Sequence, residues 1–66
     1  MNAVQIGKKL KELRGDRSIA EVSESLGISK SALCMYECGF RIPRDEVKVK
    51  LASYYDVSVS SVFFET

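Results

Sequence analysis

Apolar residues fall along this chain in short runs at helical spacing, and each run is closed by a turn residue. Ala3, Ile6, Leu10 and Leu13 recur at intervals of three and four, and Gly15 and Asp16 end the run, which predicts a first helix. Ser18 and Glu21 form an S-x-x-E capping box ahead of a second helix, on which Ile19, Val22, Ser23 and Leu26 share a face. Gly27 stands where that helix needs a left-handed residue. Ser29 can cap a third helix that runs to residue 38 and is stopped by Gly39. "FRIPR" reads as an extended loop, because Pro43 turns Ile42 away from helical angles. A fourth helix opens at Asp45 or its neighbour and places Val47, Leu51, Tyr54 and Tyr55 on one face. Ser58 can cap a short fifth helix that ends in "VFFET". No stretch alternates with a period of two, so the expected fold class is all-α, built of five short helices.

Only "GIS", residues 27 to 29, separates the second helix from the third, which fits a helix-turn-helix. Close crossing of the two helices favours a small residue on the first, here Ser23. It also favours a buried apolar residue in the turn, here Ile28, and another on the second helix, here Leu33. On a wheel of 100° per residue, Ala32, Leu33 and Tyr36 cluster on one side of the third helix, which must face the core. Ser31, Cys34, Met35 and Cys38 fall on the other side, with Lys30 at the N-terminal end and Glu37 on the inner flank. A slim outward face without carboxylates suits a major groove about 12 Å wide.

Composition narrows the class without deciding the partner. The chain has 66 residues, 45% hydrophobic and 29% charged, as expected of one small globular domain. A domain of this size buries only roughly 60% of its unfolded surface, so a second copy is a plausible source of extra stability. Ten Lys and Arg against nine Asp and Glu leave a net charge of +1, so only a local arrangement of charge can favour nucleic acid. No apolar run approaches the ~20 residues of a membrane span and no signal-peptide pattern is present, so a cytoplasmic protein is expected. The chain has no histidine, and it lacks a Gly-rich phosphate loop, an HExxH pattern and a nucleophile elbow. No catalytic residue, cofactor or metal is therefore expected.

The segments "IGKKLKELRGDRS", "VSESLGISKSALCMYECGFRIPR" and "KLASYYDVSVSSVFF" together resemble the XRE-like, phage Cro/repressor-type helix-turn-helix proteins over roughly residues 5 to 64. The most specific element is G-[IV]-S-x-x-x-[IL]-x-x-x-E-x-G, present as Gly27, Ile28, Ser29, Leu33, Glu37 and Gly39. The resemblance implies a lambda-repressor-like fold and a sequence-specific regulator of transcription. It further implies a homodimer on a pseudo-palindromic double-stranded DNA operator. By that resemblance Lys30, Ser31 and Met35 read base edges, while Ser18, Ser29, Phe40, Arg41 and Arg44 hold the DNA backbone. It also implies a structural pair between Arg14 and Glu37. Two positions depart from the family pattern: Ile19 stands where many members carry a phosphate-clamping Gln, and Ser23 where Ala is common. Ile19 also reads as an extension of the apolar face. A repressor of a prophage, mobile element or restriction system is the function expected.

Other residues have competing readings. Zinc takes about four N or S ligands, and two cysteines without a histidine do not supply them. A disulfide between helical i and i+4 residues is awkward and unexpected in a reducing compartment. Cys34 and Cys38 then read as small, weakly polar groups on the DNA face, or alternatively as the thiols of a responsive sensor. Lys8, Lys9 and Lys11 read as a solvated face. Phe63 and Phe64 are adjacent, so both cannot enter one core, and whichever is exposed is the candidate dimer contact. The remaining alternative keeps the fold but binds a protein, such as an antirepressor or a toxin, in place of DNA.

Overall fold

The computed structural model describes residues 2–64 and contains five helices in chain order. They are α1 (Ala3–Arg14), α2 (Ile19–Leu26), α3 (Lys30–Cys38), α4 (Asp45–Tyr55) and α5 (Val59–Phe63). No strand is present among the described residues. The end expected for the fifth helix, in "VFFET", falls partly on residues 65 and 66, which lie outside the described residues.

Local chemistry explains most of the boundaries. Ser18, Ser29 and Ser58 each accept a hydrogen bond from a backbone N–H three residues on, at 3.0, 3.0 and 3.2 Å, and so start α2, α3 and α5. Gly27 and Gly39 end α2 and α3 in the left-handed region, at φ 70° and 80°, where a Cβ would be strained. A reciprocal capping box does occur, but at Asn2 and Gln5 at the start of α1. At Ser18 and Glu21 the serine half of the expected box is present. The residue ahead of α4 is Arg44, whose side chain makes no capping bond; Asp45 and Glu46 occupy the first turn, where negative charge complements the helix dipole.

Each helix contributes to one core. Ile6 and Leu10 of α1 meet Val22 and Leu26 of α2, Leu33 and Tyr36 of α3, Leu51 of α4, and Val62 and Phe63 of α5. Leu10, Val22, Leu33 and Leu51 are fully buried, and full burial contributes about 1.5–3 kcal/mol for each such side chain. Ile28, expected to be buried in the turn, is half-buried and packs against the edge of this core. Ile19 packs there as well, which fits its reading as part of the apolar face. Two lysines tie helices together through their heads: Lys9 of α1 donates to the Ser61 carbonyl, and Lys50 of α4 donates to the Leu26 carbonyl at 3.5 Å. Lys9 is therefore half-buried, whereas Lys8 and Lys11 are exposed as expected of a solvated face.

The phenylalanine pair separates cleanly. Phe63 is a core residue, 3% exposed, and so has no surface to offer a dimer contact. Phe64 is 61% exposed, with the Lys48 Nζ 4.8 Å from its ring centroid.

The tightest constraint lies between α1 and α3. Gly7 faces the C-terminal half of α3 so closely that a Cβ would sit 2.5 Å from the Glu37 carbonyl oxygen and 2.7 Å from that of Tyr36. Backbone cannot yield as a flexible side chain can. In an isolated helix, Gly→Ala is stabilising by about 1 kcal/mol. In this protein Gly7→Ala should reverse that sign and destabilise by about 2 kcal/mol, as overpacked sites do. Urea unfolding followed by circular dichroism checks it, and a gain in stability would mean that the two helices are not in close contact.

Candidate nucleic-acid interface

The helix-turn-helix is α2, the Gly27–Ser29 turn and α3. Ser23 is 3% exposed and its Oγ donates to the Ala20 carbonyl at 3.2 Å, which satisfies the hydroxyl within α2 and leaves a small surface at the crossing. Across from it Leu33 is fully buried. The Ile28 N–H donates to the Ser23 carbonyl at 3.0 Å, so the turn folds back on the helix it leaves.

The buried Leu33 and Tyr36 mark the inner side of α3. Lys30, Ser31, Cys34, Met35 and Cys38 are all exposed, as the helical wheel requires. Glu37, the one carboxylate of α3, is turned inward. Its side chain is 5% exposed, and its two carboxylate oxygens share the single N–H of Arg14 Nε, at 3.1 and 2.9 Å. Arg14 also donates through Nη1 to the Arg17 carbonyl at 2.7 Å. The hydrogen bond to Glu37, with the charge of its carboxylate, holds the Arg14 guanidinium above its ordinary pKa. The pair thus links the end of α1, the connection to α2 and the end of α3, and it keeps a negative charge off the outward face.

Arg17 continues this corner. Its guanidinium carbon lies 5.5 Å from the Tyr54 ring centroid and 5.6 Å from that of Tyr55. The two tyrosines are half-buried and meet edge to face, with centroids 5.1 Å apart. The Tyr55 hydroxyl is buried without a hydrogen-bond partner among the described residues. Burial pushes its pKa up to about 12, and the negative charge of Glu37 adds to the shift.

The residues expected at the DNA backbone occupy two kinds of place. Ser18 and Ser29 stand at the N-termini of α2 and α3, where backbone N–H groups suit an anion. Phe40, Arg41 and Arg44 are exposed in the loop that follows α3. Phe40 is 81% exposed, and Ile42, which the sequence marked only for its backbone angles, is 51% exposed. Ser31, Cys34, Met35, Cys38 and Phe40 line one shallow, mainly apolar depression along the outward side.

Residues 8–62 match the model of a helix-turn-helix family (HTH_3). The chain belongs to the XRE-like helix-turn-helix family. The matched span starts within α1 and ends within α5, so it takes in the Arg14–Glu37 pair as well as α2 and α3. No curated protein and no solved structure matches the chain. Family membership makes this helix-turn-helix protein a DNA-binding regulator. No helix among the described residues is long and apolar enough to cross a membrane.

Below pH 10, Tyr55 is neutral both folded and unfolded, and the stability linked to its proton is fully present. Between about pH 10 and about 12 the unfolded chain gives up that proton more readily, so stability falls as pH rises. Tyr55→Phe should remove that part of the alkaline loss. At pH 7 it should stabilise by about 1 kcal/mol, because the buried hydroxyl forgoes its hydrogen bonds to water. Denaturant titrations of both proteins at pH 7 and pH 11 check the two effects. An unchanged alkaline loss would assign it to other groups.

Proposed function

We propose that this protein is a sequence-specific regulator of transcription that binds a pseudo-palindromic double-stranded DNA operator as a two-fold dimer. It acts as the repressor of a prophage, mobile element or restriction system, with the five helices working as one DNA-binding unit. The observation that carries the reading is the exposed, carboxylate-free face of α3, which family membership places in a DNA-binding protein. Lys30, Ser31 and Met35 lie where an inserted helix meets base edges in the major groove. Ser18, Ser29, Phe40, Arg41 and Arg44 flank that face and position it on phosphates. A two-fold pair would set its reading helices about 34 Å apart, one turn of B-DNA.

Sequencing the DNA that the purified protein selects gives the operator, and variants then separate the roles. Lys30→Ala and Met35→Ala should each change base preference at one position of the half-site, by roughly 1–3 kcal/mol. Arg44→Ala should weaken all sites alike and lower the salt slope by about one. An unchanged preferred sequence in Lys30→Ala would remove Lys30 from the reading set.

Phe64 is the proposed dimer contact. It is large, exposed and one residue beyond the core Phe63. Phe64→Glu keeps Lys48 nearby as a partner, so the monomer should remain folded. At a two-fold axis each new carboxylate meets its own copy, and repulsion opposes association. Sedimentation should show monomers, and operator affinity should fall by at least about tenfold, in line with loss of a linked second site. A dimer that persists would place the interface elsewhere.

A further inference from the structure

Cys34 and Cys38 are the two thiols of the outward face, and both are exposed and free. They lie four residues apart on α3, so their Cβ atoms are about 5–6 Å apart and point the same way. A disulfide prefers Cβ atoms about 3.5–4.5 Å apart and an S–S bond of about 2.05 Å, so closing one would distort the helix. A single soft atom between the sulfurs lifts that restriction. Two bonds of about 2.3 Å each hold the sulfurs roughly 4 Å apart, which parallel side chains on one face can reach.

The ligands at hand select the kind of atom. No group of three or more His, Cys, Asp or Glu able to hold a metal ion occurs among the described residues. A centre that demands four ligands is therefore poorly served, whereas one that is complete with two thiolates is well served. The surroundings select the rest of the ligand. The depression beside the thiols is lined by Ser31, Met35 and Phe40, with Met35 40% and Phe40 81% exposed, so an apolar substituent has a surface to cover.

We propose that Cys34 and Cys38 form a two-thiolate chelating site for a soft thiophilic centre bearing one apolar substituent, and that its occupancy shuts α3 out of the major groove. The ligand class is a monosubstituted trivalent arsenical. In the binding step two As–S bonds form and two As–O bonds break. The two thiol protons leave with the displaced oxygen as water, and arsenic stays trivalent, so no oxidant or reductant enters. The effect on DNA rests on the proposed operator reading; the chelation does not.

The probe is phenylarsine oxide added to the full chain. Mass spectrometry should show one adduct per chain with loss of one water, and a thiol titration should show both cysteines consumed. Circular dichroism should be unchanged. A small dithiol should reverse the adduct, while a monothiol at the same concentration should not. Cys34→Ser and Cys38→Ser should each weaken probe binding by at least about a hundredfold, since the second bond of a chelate forms at high effective concentration. Single variants that bind like the parent, a monothiol-reversible adduct, or loss of helix on loading would each overturn the site. The same loaded sample is then titrated with the selected operator, and binding should be lost and return with the dithiol. Loaded protein that still binds operator would overturn the blocking role. If unloaded protein binds no DNA, the operator reading fails, whatever the arsenical shows.

Discussion

The close approach of α1 to α3 is the constraint on which the rest of this structure depends. Gly7 lets the two backbones meet against the carbonyls of Tyr36 and Glu37, and two turns further along α1 Arg14 grips the Glu37 carboxylate. One contact is steric and the other ionic, and both act on the same stretch of α3. A helix of nine residues has little of its own to fix its rotation. Once its inner side is held this way, Leu33 and Tyr36 must face the core. Ser31, Cys34, Met35 and Cys38 must then face out. The surface available for reading DNA is thus set by a helix that contributes none of the proposed base-reading residues.

The Arg14–Glu37 pair does two things at once, and they are physically separable. As packing it joins the ends of α1 and α3, with side chains 17% and 5% exposed. As electrostatics it removes a carboxylate from the outward face of α3. An exposed glutamate on the third helix would repel the DNA backbone at short range. Buried and bonded to a guanidinium, it presents almost no field to the groove. A partly buried pair of this kind adds little net stability, because desolvation offsets much of the attraction. Its value lies in fixing one arrangement of the helices.

The capping serines and terminal glycines were legible because they act within one or two turns of their own helix. Ser18, Ser29 and Ser58 start helices, Gly27 and Gly39 end them, and all five stand where the sequence pattern placed them. The outward face of α3 was legible for a related reason, since helical period alone assigns residues to sides. Period does not say which other helix lies opposite. Gly7 stands within a lysine-rich segment, and its local pattern does not name the helix it approaches. The Lys9 and Lys50 bonds to carbonyls of other helices were hidden likewise, because a long aliphatic stem reaches a partner that no local pattern records. Adjacent Phe63 and Phe64 could be divided into one inside and one outside, but the choice needed the path of the chain after Ser58. The pair Arg14 and Glu37 came from family resemblance, since 23 residues separate its members.

A net charge of +1 leaves this chain little long-range attraction for DNA. Lys30, Arg41 and Arg44 are three exposed cations beside the proposed groove-facing side, so one copy would neutralise only a few phosphates. Affinity from counterion release scales with that number, and a few contacts leave a single copy weakly bound at physiological salt. Two copies on adjacent half-sites double the contacts, and the second binds at an effective concentration set by the first. In the proposed dimer a nearly neutral chain would thus gain affinity from pairing, while an isolated copy would have little hold on non-specific DNA. Low charge would then favour discrimination: the sequence-independent term would stay small, and the proposed base-edge contacts of α3 would decide where such a dimer rests.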